Sequence, residues 1–173
     1  MNLKFRGLLV LLFTCAIGLA QDKAPSHPVS TVLPNPAFDK IKLLAGDWEG
    51  TMAGRKVTAN YKVMSAGSAV MLYQPGEKPG DEMVTIFHPD NEKLMVTHYC
   101  SARNQPRMVM VPGKDPNVIT FEFLDATNLP SPDAPHMVGL TLKILDANHH
   151  IQTWTFLADR KTESENFDLR RKM

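Results

Sequence analysis

Only two cysteines occur in 173 residues, Cys15 and Cys100, and the first lies inside an N-terminal apolar run. A chain that keeps Cys100 alone after export cannot form an intramolecular disulfide, so its thiol is either a buried small hydrophobe or a reactive group. Charge is as sparse in sign as cysteine is in number. Nineteen basic residues face eighteen acidic ones, for a net charge of +1, which excludes a global electrostatic argument for nucleic acid or an anionic membrane. Catalytic signatures are missing as well: there is no Gly-x-Ser-x-Gly elbow, no His-Glu-x-x-His and no phosphate-cradling glycine loop, and hence no positive reason to propose an enzyme or a cofactor. Long apolar runs are confined to Leu8–Leu19, too short to span a bilayer comfortably, and no second run follows.

What is present begins with that run. Lys4 and Arg6 precede it and Gly18-Leu19-Ala20 ends it, the order of a secretory signal over residues 1–20. Thr14 before Cys15 is a poor match to a lipidation signal. Cleavage after Ala20 removes two basic residues and no acidic ones, so the net charge passes from +1 to −1. The expected location is periplasmic or extracellular, with no integral membrane segment once the signal is gone. Residues 21–35, with three prolines and no apolar period, read as a flexible leader to a single domain over 36–173.

Asn35 is a good N-cap, Pro36 suits the first helical position, and Phe38, Ile41 and Leu44 recur at helical spacing until Gly46. This two-turn helix is too short to stand alone and must dock on something larger. From Trp48 onward the period changes to two. Ten strands are predicted: Trp48–Met52, Lys56–Val63, Ala69–Tyr73, Met83–His88, Leu94–Cys100, Met108–Val111, Ile119–Phe123, Met137–Leu145, Ile151–Leu157 and Glu165–Arg171. Short breaks such as Ala53-Gly54 and Asp146-Ala147-Asn148 carry hairpin chemistry. The one long connection is Asp125–Pro135, a surface insertion or a lid. The expectation is an all-β fold, an antiparallel up-and-down barrel of about ten strands with the short N-terminal helix closing one end; a two-sheet sandwich is the structural alternative.

The Phe38–Gly50 segment, F-x-x-I-x-x-L-x-G-x-W-x-G, resembles the opening of calycin-type barrels, the group of lipocalins, fatty-acid-binding proteins and nitrobindin-like haem proteins. Val96–Met108, VTHYCSARNQPRM, is similar to a segment of exported bacterial proteins that share the G-x-W-x-G start. The resemblance implies a Trp closing the barrel beneath a cavity. It does not carry haem chemistry over, because nitrobindin-like domains place a proximal His near the end of the last strand and no histidine follows His150 here. In fatty-acid-binding barrels an interior Arg and Tyr hold a ligand carboxylate, which by residue type makes Tyr99 with Arg107 a candidate anion clamp.

The chemically densest strand is Leu94–Cys100. Alternation puts Leu94, Val96, His98 and Cys100 on one face and Met95, Thr97 and Tyr99 on the other. With the first face inside, His98 and Cys100 are neighbours able to form a soft metal site or an activated thiol, or His98 is a core histidine satisfied by an adjacent strand; with the second inside, Tyr99 is a ligand donor. His149-His150, behind a turn, read as two solvated histidines. Eight methionines lie between the chain ends, mostly in strands, and flexible thioethers suit a deformable apolar pocket.

Three functions follow. The first is a non-enzymatic barrel binding a small apolar or amphiphilic molecule, with Tyr99, Arg107 and His98 at its polar end and Met95, Met108 and Trp154 among the wall residues. The second is a packed interaction module working through its loops, and the third a haem- or metal-binding barrel using His98.

Overall fold

The computed structural model describes residues 33–173. The expected secretory signal and the expected leader up to residue 32 lie outside the described residues. Helix α1 (Pro36–Lys42) precedes ten strands: β1 (Gly46–Met52), β2 (Arg55–Met64), β3 (Ala69–Gln74), β4 (Met83–Asp90), β5 (Lys93–Tyr99), β6 (Gln105–Val111), β7 (Val118–Thr127), β8 (His136–Asp146), β9 (His149–Ala158) and β10 (Lys161–Arg171). Each strand pairs antiparallel with its sequence neighbour, and β1 pairs with β10, so the sheet closes into the ten-stranded up-and-down barrel that the period-two pattern predicts. Closure leaves no unpaired edge.

The strand boundaries differ from expectation where pairing extends a strand past its apolar pattern. β10 begins at Lys161 because residues 161–166 ladder onto β9, and β7 runs to Thr127 because Asp125, Ala126 and Thr127 pair with β6. The long connection is therefore residues 128–135. It is tied down: Asn104 Nδ2 donates to the Pro135 carbonyl at 2.8 Å, and Asn128 donates to the Arg103 carbonyl.

One end of the barrel is sealed from the helix inward. Asn35 Oδ1 accepts the Phe38 N–H at 3.0 Å, satisfying one of the free donors of the first turn. Phe38, Ile41 and Leu44 are buried in the core cluster with Trp48, Tyr61 and Leu169, and full burial of a Phe or Ile side chain contributes roughly 1.5–3 kcal/mol. Lys40 Nζ reaches the Pro116 carbonyl (2.6 Å) and Asn117 Oδ1 (2.7 Å), fastening the helix to the β6–β7 connection. Trp48 donates its indole N–H to Leu44 O at 2.7 Å and lies 4.5 Å beneath the Arg171 guanidinium. Arg171 in turn donates to the carbonyls of Leu43 and Ala45. The first and last strands thus meet on the side chain that the G-x-W-x-G motif supplies.

Candidate functional site

The register sets which side chains face inward. Ile144, Leu142 and Leu140 of β8 stand opposite His150, Gln152 and Trp154 of β9, which stand opposite Leu169, Phe167 and Glu165 of β10. On the far side Leu72, Thr85 and His98 are successive cross-strand partners. A polar layer therefore crosses the apolar core in the middle of the barrel.

Gln152 is its hub. The Trp154 indole, which can only donate, gives its N–H to Gln152 Oε1 at 2.9 Å, and this fixes the orientation of the carboxamide. Gln74 Nε2 donates to the same oxygen at 3.3 Å, and Gln152 Nε2 donates to the Tyr61 hydroxyl at 2.8 Å. Having accepted there, Tyr61 has its own proton for His150 Nε2, 3.2 Å away. The ring proton of His150 then sits on Nδ1, which has no partner among the described residues. Burial holds the Tyr61 phenol far above its ordinary range. Burial also lowers His150 to about 4, helped by the charges of His149 and Arg171 and opposed by Asp168.

Replacing Gln152 by leucine strips partners from Trp154, Gln74 and Tyr61 at once. The expected loss is about 2–4 kcal/mol, since each orphaned buried group costs about 1–3 kcal/mol. Urea unfolding measures it, and a Gln152→Leu chain as stable as the parent would remove the hub role.

His98 faces the interior, so the open question of which face of β5 points inward is answered for Leu94, Val96 and His98, all buried. Its Nδ1 lies 2.8 Å from Thr85 Oγ1 on the neighbouring strand and its ring 4.7 Å from Trp154, while burial lowers its pKa to about 4. Nε2 has no hydrogen-bond partner among the described residues. Neither nitrogen bonds Cys100. The thiol instead accepts the Ala102 N–H and is pushed up by burial, opposite to activation. No group of three His, Cys, Asp or Glu able to hold a metal ion occurs among the described residues.

The proposed polar clamp is not assembled in the interior. Tyr99 is 50% exposed on the outer face of β5 because it alternates with inward His98. Arg107 is also outside, in a two-pronged ion pair with Asp125 of β7. Met108 is fully buried in the core and Met95 is buried on the face opposite Val96, whereas Trp154 lines the cavity described below. The expectation for His149-His150 is corrected in part. His149 pairs with Asp168 at 2.9 Å, but His150 is fully buried, 4.3 Å from the Trp48 ring.

Above the polar layer, at the end away from α1, the barrel is open. A cavity of about 900 Å³ lies there, walled by Met52, Met83, Met137, Phe156 and Phe167, with Trp154 and Gln74 also lining it. Its rim is made by Arg55 at the start of β2, by Pro75, Gly76, Glu77 and Asp81 between β3 and β4, and by Glu163 near the start of β10. The methionine signal in the sequence thus locates the wall, through Met52, Met83 and Met137 rather than Met95 and Met108. Gln74 and Gln152 escape sequence reasoning, and the signal that finds them is their shared parity with Leu72 on β3 and with Trp154 and Phe156 on β9. Comparison with protein-family models and with curated proteins finds no match to this chain.

Proposed function

We propose that the chain is an exported, non-enzymatic, calycin-type barrel that takes a small apolar or amphiphilic molecule into its open end. The observation that carries this reading is the division of the interior. The half nearest α1 is filled by Trp48, Tyr61, Phe87, Phe121 and Leu169, whereas the other half keeps about 900 Å³ between methionine and aromatic walls. That volume falls in the range of small-molecule pockets, roughly 300–1,000 Å³. Thioether and aromatic walls adapt to an apolar body, and Gln74 with the Trp154–Gln152 pair gives the floor polar groups held by their own hydrogen bonds.

Trp154 is a reporter placed at this floor, and only one other tryptophan exists, Trp48. In a Trp48→Phe chain lacking residues 1–20, titration with 11-bromoundecanol, whose bromine quenches indole on contact, is expected to quench Trp154 fluorescence saturably. In a Trp154→Phe chain the sealed Trp48 stays bright. Equal quenching of both, or of neither, overturns the reading.

A further inference from the structure

Two carboxylates stand where an apolar barrel has least use for them. Glu163 and Glu165 share the parity of Phe167 and Leu169 on β10, which places them on the inward-facing register, and both line the open cavity. Cross-strand pairing sets Glu163 opposite Phe156 and Glu165 opposite Trp154, so each carboxylate is the neighbour of an aromatic wall residue, with Cβ atoms about 4.5–5.5 Å apart. Neither makes an ion pair among the described residues. Asp81 adds acid from the β3–β4 connection. Of the two cations at the rim, Arg55 is already engaged by Glu77, and Lys56 alternates with inward Val57 and so projects from the outer register of β2.

The floor adds an uncharged polar group. Gln74 is only 3% exposed and gives one of its two side-chain N–H groups to Gln152, whose own orientation the Trp154 indole fixes. It retains a carbonyl oxygen, an acceptor, and its second N–H beside the cavity that the side chain lines. An anionic headgroup would meet the carboxylates of Glu163 and Glu165 here. A group bearing positive charge and N–H donors would meet carboxylates, a carbonyl and the faces of Trp154 and Phe156, the partners an ammonium ion seeks. An inorganic cation is the poorer occupant, since the walls are apolar and no three metal-ligating side chains converge among the described residues.

We infer that the molecule this cavity takes is a cationic amphiphile, a primary ammonium group carried on an apolar body. The inference rests on the cavity reading above and adds the sign of the headgroup. Three probes with one brominated chain separate the two: 11-bromoundecylammonium, 11-bromoundecanol and 11-bromoundecanoate, each titrated against Trp154 fluorescence in the Trp48→Phe chain near neutral pH and low salt. The ammonium is expected to bind about tenfold more tightly than the carboxylate, equivalent to about 1.4 kcal/mol. In the Glu163→Gln, Glu165→Gln chain the preference is expected to disappear while the alcohol binds as before. Both glutamates are exposed and unpaired among the described residues, so the substitutions leave the core untouched. Salt gives a test that needs no variant: raising ionic strength weakens the ammonium and leaves the alcohol unchanged. Equal affinities for all three heads, a carboxylate that binds best, or an ammonium preference that survives both substitutions would each overturn the cationic assignment while leaving the cavity in place. Failure of all three probes, the alcohol included, would overturn the cavity reading and this inference with it.

Discussion

Alanine at position 50 is expected to prevent the barrel from closing. Gly50 pairs with Leu169 across the β1–β10 seam, where the first strand meets the last. A Cβ there would overlap the Asp168 carbonyl and lie 3.0 Å from Leu169 Cα. Every atom it meets is backbone of a paired strand, so relief requires β10 to move away from β1 and give up the ladder that shuts the barrel. The cost is about 4 kcal/mol or more, beyond ordinary overpacking and comparable to the whole stability of many domains. Gly54, in the β1–β2 turn, is the comparison. Its φ of +78° disfavours alanine, yet nothing lies within 4 Å of the added carbon, so Gly54→Ala should cost only about 1 kcal/mol. Urea unfolding followed by circular dichroism distinguishes the two. A Gly50→Ala chain with a cooperative transition near that of the parent would show that the seam tolerates a side chain.

This gives a physical reason for the motif that opens the domain. Gly46 adopts a φ of +127° at the helix-to-strand corner, Trp48 fills the sealed end, and Gly50 lets the last strand approach. Alternation and turn chemistry made the strands legible because both are local. The helix was legible because Asn35, Pro36 and the Phe38–Ile41–Leu44 spacing agree.

The site was less legible, since it depends on which parity faces inward, and polar residues blur that choice. β9 illustrates the difficulty: Ile151, Thr153 and Thr155 look no less like core than His150 and Gln152, and only Trp154 and Phe156 mark the true inner face. His150 was hidden by its position just behind a turn, where solvent exposure is the usual outcome. Glu163 and Glu165 were hidden because inward position and burial part company at an open barrel end. Tyr99 and Arg107 were attractive by residue type, but the first alternates with inward His98 and the second has Asp125 directly across its β6–β7 pairing.

The same buried histidines make the barrel sensitive to acid. His98 and His150 each have a folded-state pKa of about 4, whereas a histidine in an unfolded chain titrates near 6.5. Between these values the unfolded chain binds protons that the native chain refuses, so unfolding free energy rises with pH across that window. The contribution is complete above pH of about 6.5 and is lost as pH falls to about 4. A difference of about 2.5 pKa units per ring corresponds to about 3 kcal/mol each, and the two together to about 6 kcal/mol. That is of the order of a whole domain's stability. Desolvation is the leading cause for both. His98 faces neutral groups, Thr85 and the Trp154 ring, while His150 feels His149 and Arg171 against it and Asp168 in its favour. Asp125, held below its ordinary value by Arg107, acts at lower pH and leaves the window clear. Urea midpoints at pH 7.5 and 4.5 should therefore differ widely for the parent chain. Phenylalanine at position 98 or 150 should narrow the gap by about half, even though each variant is itself less stable at pH 7.5 through loss of the Thr85 or Tyr61 hydrogen bond. Nuclear magnetic resonance supplies a readout independent of stability: two imidazoles that stay neutral down to pH of about 5 support the assignment, and two that titrate near 6.5 overturn it.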